Sequence, residues 1–194
     1  RMEEQVRKMA FYDPLTGLPN RRLLNDRLGH TLAASQRNGL YGALMFLDLD
    51  NFKPLNDQHG HGVGDLLLLE VAHRLTECVR EVDTVARLGG DEFVVMLSEL
   101  HGDLHQSIEQ AHAVAEKIRL ALSETYFLSV AQTGHPAITV AHHCSASIGV
   151  AMFVNHELSA TDILKAADAA MYQAKNAGRN TVRFHGSMPK LGVI

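Results

Sequence analysis

Arg87-Leu88-Gly89-Gly90-Asp91-Glu92-Phe93-Val94-Val95-Met96-Leu97 is the stretch on which the fold of this chain turns. Two glycines are followed at once by two acids and then by an apolar run, and Val82 to Leu88 leads in. Short apolar segments around a Gly-Gly pair predict a β-hairpin with a tight turn. Asp91 and Glu92 then stand at the start of the second strand, at the rim of a sheet. Adjacent carboxylates in that position can hold a hard cation.

Upstream, Tyr41-Gly42-Ala43-Leu44-Met45-Phe46-Leu47-Asp48-Leu49-Asp50 is a nearly continuous apolar run that ends in acids. It predicts a central strand buried on both faces. With a period of two, Asp48 and Asp50 share one face and Leu49 takes the other. Residues 51–65 hold a helical turn or two, then a Gly-rich connection that lets the backbone approach a ligand or another segment. Helical spacing predicts a helix from the N-cap Asn20 to about Arg37 and a second from about Asp65 to Arg80. Two more run from about Leu104 to Ser123 and from about Thr161 to Ala177, the last ending at Gly178. Cys144 to Phe153 and Thr181 to Phe184 read as strands. Tyr126 to Val140 is the least readable stretch, taken as one or two edge strands with a turn at Gly134-His135-Pro136. The order predicts an α/β (α+β) sandwich, a mainly antiparallel central sheet flanked by helices.

A chain of 194 residues predicts one domain. Apolar residues make up 46%, enough for a full core. No run approaches the roughly 18–20 apolar residues that a spanning helix needs. The net charge of −4 argues against a polyanion partner, so no nucleic acid is expected. Cys78 and Cys144 lie in apolar patterns without CxxC spacing, which suits buried thiols in a reducing, cytoplasmic compartment. His59 and His61, and the adjacent His142 and His143, have no third ligand at a helpful spacing and make a poor zinc site. Residues 1–12 carry the pairs Glu3/Arg7 and Glu4/Lys8 and a thin apolar stripe. They read as the end of a linker or signalling helix from an upstream sensory or regulatory domain, or as a frayed N-terminal helix. Residues 13–185 are taken as the domain and 186–194 as a tail.

Gly89-Gly90-Asp91-Glu92-Phe93 is the signature of the GGDEF domain, and the chain resembles that family, the bacterial diguanylate cyclases. Further blocks stand in order. Asp13-Pro14-Leu15-Thr16-Gly17-Leu18-Pro19-Asn20-Arg21-Arg22 resembles the family's opening loop. Asp48-Leu49-Asp50-Asn51-Phe52-Lys53 through Asn56, His59-Gly60-His61 and Gly64-Asp65 resembles its metal and guanine block. Ala146 to Ala151 and Ala167 to Asn180 resemble its C-terminal blocks. Together they cover about Asp13 to Phe184. The resemblance implies a fold like nucleotidyl cyclases and palm-type polymerases, with a ferredoxin-type core. It implies a reaction in which two GTP give cyclic di-GMP and two pyrophosphates. Two copies must then meet as a homodimer, each presenting one GTP.

The same resemblance implies the site. In-line attack of a ribose 3′-hydroxyl on an α-phosphate needs the triphosphate charge neutralised, which Mg²⁺ does, with Mn²⁺ as a substitute. Asp48 and Asp91 match the metal-binding carboxylates, with the Leu49 carbonyl as a backbone ligand. Glu92 is assigned a second metal or help with deprotonation, which makes Asp91, Glu92 and Asp48 the catalytic set. Read from the residues alone, these are equally solvent-facing acids at strand ends. Asp65 and Asn56 match the guanine contacts, though Asp65 also reads as a helix N-cap. Phe52, Lys53, Lys175 and Arg179 match phosphate contacts; the last two also suit the C-terminal dipole of a helix. The nucleotide lies across Gly89 and Gly90. Arg80-Glu81-Val82-Asp83 stands where the family carries its product-inhibition site, with Arg80 and Asp83 as ligands and Arg87 assisting. An alternative function is a catalytically inactive module that binds GTP or cyclic di-GMP.

Overall fold

Strand β1 (Gly42–Leu49) lies at the centre of the molecule, paired antiparallel on both sides. The structure, a computed structural model, describes residues 2–52, 57 and 61–186. One neighbour is β3 (Glu92–Leu97), which forms a hairpin with β2 (Thr84–Gly89). The other is β6 (Ala146–Phe153), which pairs in parallel with β7 (Val182–Phe184). The sheet order is therefore β2-β3-β1-β6-β7. β4 (Tyr126–Gln132) and β5 (His135–His142) make a separate two-stranded sheet. The helices are α1 (Met2–Phe11), α2 (Arg21–Asn38), α3 (His61–Cys78), α4 (Leu104–Ser123) and α5 (Ala160–Asn176). Among the described residues no helix is long and apolar enough to cross a membrane.

β1 is apolar throughout because helices cover both faces of the sheet. Ala43, Met45, Leu47 and Leu49 pack with Leu67, Val71 and Leu75 of α3 and Ile108, Ala111 and Ile118 of α4. Leu44 and Phe46 enter the opposite cluster, with Leu24 and Leu28 of α2 and Ile163, Ala167 and Met171 of α5. Counting on by two from Phe46 carries Asp48 and Asp50 to the α5 side. The acids thus end the face that α5 covers. α5 lies close to the sheet because Gly149 has no side chain; a Cβ there would collide with the backbone of Ala167 and Met171. Asn20 caps α2 by accepting from the N–H groups of Arg22 and Leu23, as its type and position predict.

Three boundaries differ from the sequence expectation. α3 begins at His61, not near Asp65, so Gly62 and Gly64 lie inside the helix. Each interior glycine costs about 1 kcal/mol of helix propensity. Burial of Val63 and Leu67, 2% and 0% exposed, offsets that cost. The hairpin turn is Gly90-Asp91 and not Gly89-Gly90, because Gly89 pairs with Glu92 after a register shift that follows Arg87. Asp91 is therefore a turn residue, and the strand starts at Glu92. Third, β4 and β5 pair with each other and not with the edge of the main sheet, and their turn precedes His135. The side chains of Glu3, Glu4 and Arg7, and the expected tail beyond Gly186, lie outside the described residues.

Candidate active site

Asp48 is held from both sides, its Cα paired with Glu92 on β3 and with Ser147 on β6. The Gly90-Asp91 turn brings a second carboxyl against it. Burial, and next the Asp91 carboxyl, push the Asp48 pKa up to about 6, with the Lys175 ammonium opposing the rise. Asp48 Oδ1 is buried without a hydrogen-bond partner among the described residues. Its Oδ2 meets Lys175 Nζ at 3.1 Å. Glu92 is also raised, by burial and then by the charges of Asp48 and Asp168, against Arg21. Acids are thus crowded at the rim of the sheet at an electrostatic cost, which is the condition a divalent cation relieves.

The residues present fit Mg²⁺. Asp48 and Asp91 offer neighbouring carboxylate oxygens, one of them orphaned and buried. Among the described residues no group of three or more His, Cys, Asp or Glu side chains forms a metal cage. Mg²⁺ does not need one; it is commonly held by one or two carboxylates with phosphate oxygens and water. The Leu49 side chain belongs to the core cluster under α3, so only its backbone carbonyl is available to the site.

One acid at the site carried no role in the sequence reading. Asp50 is 1% exposed. It accepts from Ser147 Oγ at 2.7 Å, Ser145 Oγ at 2.6 Å and the Asn180 backbone N–H at 3.1 Å. Lys175 Nζ is 3.9 Å from it. The period-two spacing from Asp48 placed it on this face, but its partners are up to 130 residues away in the chain.

The other candidates divide. Lys175, near the end of α5, points between Asp48 and Asp50. Arg179 is exposed and left-handed, with φ 63°. Gly89 and Gly90 have φ of 140° and 50°, and nothing lies within 4 Å of a Cβ built on either. Their lack of side chains serves the backbone path and leaves the hairpin tip open. Phe52 is half-buried against the core. Asp65 is exposed and stands inside α3, so the N-cap role is excluded. Lys53 and Asn56 lie outside the described residues.

A protein-family model described as the diguanylate cyclase GGDEF domain matches residues 10–181. The chain belongs to the GGDEF family. The domain is similar to MucR of Pseudomonas aeruginosa, a bifunctional diguanylate cyclase/cyclic di-GMP phosphodiesterase. They are 40% identical over 187 residues, 96% of this chain and 25% of the relative. The chain therefore spans about a quarter of that relative. Among solved structures it is similar to the GGDEF domain of TpbB (YfiN) from Pseudomonas aeruginosa, with TM-score 0.79, 35% identity, and 90% and 94% of the two chains covered. It is also similar to the coiled coil and GGDEF domain of DgcB from Caulobacter crescentus in complex with cyclic di-GMP. There the TM-score is 0.78, the identity 30%, and the coverage 94% and 90%. A mixed α/β fold with a central sheet between helices is the GGDEF fold.

In this GGDEF domain Arg80 and Asp83 are bound to each other. Asp83 accepts from the Arg80 backbone N–H at 2.9 Å and from its guanidinium at 3.2 Å, and also from the Ser98 N–H at 3.1 Å. The Arg80 side chain is 56% exposed, that of Asp83 only 2%. Arg80 is thus presented to solvent by a buried carboxylate. Arg87 is elsewhere, roughly 13 Å further along β2 at about 3.3 Å per residue. Its guanidinium holds Asp13 and the Gly90 carbonyl, so the structure does not bring it to the Arg80–Asp83 pair.

Proposed function

We propose that this domain is a diguanylate cyclase that condenses two GTP into cyclic di-GMP with release of two pyrophosphates. The observation that carries the reading is the carboxyl pair that Asp48 of β1, with its orphaned oxygen, makes with Asp91 of a hairpin that keeps both signature acids. Asp48, Asp91 and the Leu49 carbonyl would hold Mg²⁺, with Glu92 available to a second ion and Mn²⁺ as a substitute. Bound there, the ion would offset the triphosphate charge and lower the pKa of the attacking 3′-hydroxyl.

Asp65 and Asn56 take the Watson–Crick edge of guanine, whose N1–H and N2–H₂ groups a carboxylate can accept. Adenine would leave that carboxylate unpaired. Lys175 and Arg179, with Phe52 and Lys53, hold the phosphates. Gly89 and Gly90 leave room for the nucleotide to cross the turn. Glu92, raised in pKa, is suited to take up the 3′-hydroxyl proton. As O3′ bonds to the α-phosphorus, the bond to the β-phosphate oxygen breaks and pyrophosphate leaves.

One domain holds one GTP, and the cyclic product has two 3′–5′ links. A second copy must face the first, so turnover requires a homodimer. Cyclic di-GMP binding at Arg80, oriented by Asp83, would hold two domains apart and provide feedback inhibition. A sensory or regulatory domain beyond this chain would set how often two copies meet.

Incubation of concentrated protein with GTP and Mg²⁺, followed by chromatography for cyclic di-GMP, tests the reading. No product at concentrations where the dimer is observed would remove it. The second reading, a binding module without turnover, then applies if GTP or cyclic di-GMP still binds.

A further inference from the structure

We infer that Asp50 is a positioning residue for the phosphate-gripping cations, acting through Lys175 and through the turn that carries Arg179. This rests on the proposed GTP site. A carboxylate that is 1% exposed costs several kcal/mol to desolvate unless it is well compensated. Ser145, Ser147 and Asn180 supply three hydrogen bonds, and Lys175 supplies the ion pair. An Asn side chain could keep the Ser145 and Asn180 donors on its one oxygen if the Ser147 hydroxyl turned to accept from its NH₂, so hydrogen bonding alone does not call for an acid. What the carboxylate adds is charge, directed at Lys175.

Lys175 Nζ is shared, 3.1 Å from Asp48 and 3.9 Å from Asp50. The Lys175 ammonium is the cation paired with Asp48. Once Asp48 serves a metal, Lys175 loses that partner. Asp50, enclosed and already taken by three donors, then keeps the ammonium near the site, where it can meet a phosphate oxygen.

The turn after α5 is held by the same group. Arg179 and Asn180 are both left-handed, with φ 63° and 45°. Non-glycine residues adopt that region only when the surroundings enforce it. Asp50 takes the Asn180 N–H, while Arg119 and Ser123 donate to the Asn180 side-chain oxygen at 3.0 and 3.3 Å. The backbone that aims Arg179 is thus pinned on two sides, and one pin is Asp50.

Asp50→Asn keeps the size and an acceptor for Asn180 but removes the charge. GTP affinity is expected to fall about tenfold, the scale of one charge-assisted contact. Competition by inorganic tripolyphosphate should weaken in parallel, while competition by GMP should change little. In a Lys175→Met background the same substitution should have less than a third of its effect, which a merely structural role would not produce. Equal losses for tripolyphosphate and GMP, or full additivity with Lys175→Met, would overturn the inference. If Asp50→Asn does not fold, Ser147→Ala, which removes one donor and leaves the charge facing Lys175, should cost less than about threefold in tripolyphosphate competition, and a tenfold loss there would overturn the inference. Failure of the wild-type domain to bind GTP at all would instead overturn the cyclase reading itself.

Discussion

Arg87 Nη1 stands 2.9 Å from Asp13 Oδ1, across 74 residues of sequence, and ties the loop that opens the domain to the β2–β3 hairpin. The same guanidinium holds the Gly90 carbonyl through Nε at 3.1 Å and Nη2 at 2.8 Å. Gly90 directly precedes Asp91, so the contact fixes the turn that presents the Asp91 carboxyl to Asp48. Both side chains are nearly enclosed, 11% and 12% exposed. Arg87→Ala should cost about 2–4 kcal/mol in chemical denaturation, because it leaves a mostly buried carboxylate without its cation and with Thr16 as its remaining side-chain partner. Turnover of GTP should fall at least tenfold by the same loss of Asp91 placement. Normal turnover in a folded Arg87→Ala domain would refute the positional role.

The same pair sets an acid limit. Burial alone would raise the Asp13 pKa, but the Thr16 hydrogen bonds and then Arg87 outweigh it and hold the carboxyl below its usual range. A folded-state pKa below the unfolded one adds stability at neutral pH, which is lost as pH falls through the folded value. Asp13→Asn removes that gain. The two proteins should differ in unfolding free energy at pH 7 and converge toward pH 3. A constant difference across that range would show that the charge of Asp13 is not what matters.

Removing Asp91 separates chemistry from fold. Its carboxyl contributes to raising the Asp48 pKa, which means that the two acids repel each other. Asp91→Ala should therefore abolish cyclic di-GMP formation while the melting temperature stays the same or rises. A clear loss of stability would mean that the acid is structural.

The seat of α5 allows no such tolerance. Gly149→Ala would drive a methyl group into the backbone of the helix, at Ala167 and Met171, where no side chain can move aside. Overpacking of this kind costs about 1–3 kcal/mol and more when backbone must shift. Lys175 is on that helix, so the surviving folded protein should also bind GTP more weakly. A fully stable Gly149→Ala protein would show that α5 can slide without consequence.

β1 was readable because its apolar run ends in acids, and the hairpin because two apolar runs flank a Gly-Gly-Asp-Glu break, although a register shift moved its turn by one residue. The start of α3 was not, since Gly62 and Gly64 argue locally against a helix that burial of Val63 and Leu67 enforces. β4 and β5 gave little signal because much of their surface stays exposed, including Phe127 at 73%, so hydrophobic alternation is weak. Asp50 and Arg87 show the limit most directly. Each is one charged residue in a motif, and its task depends on partners 74 to 130 residues away. Spacing put Asp50 on the correct face, but only the fold shows what encloses it.

Arg80 and Asp83 make opposite predictions although they form one pair. Arg80 is largely in solvent, and its guanidinium leans on Asp83 and on the Ser98 carbonyl at 2.6 Å. Truncating it leaves Asp83 with two backbone N–H donors, from Arg80 itself and from Ser98. Arg80→Ala should therefore cost at most about 1 kcal/mol, as for an exposed pair. Catalysis should survive with little change in kcat. Inhibition by added cyclic di-GMP should weaken by tenfold or more, the scale of a lost guanidinium–phosphate contact. Asp83→Ala instead strands those buried N–H groups and should destabilise the β2–β3 end by about 2–3 kcal/mol. Initial rates measured against product concentration, beside thermal melts, check both variants. Undiminished product inhibition in Arg80→Ala would exclude this pair as the feedback site.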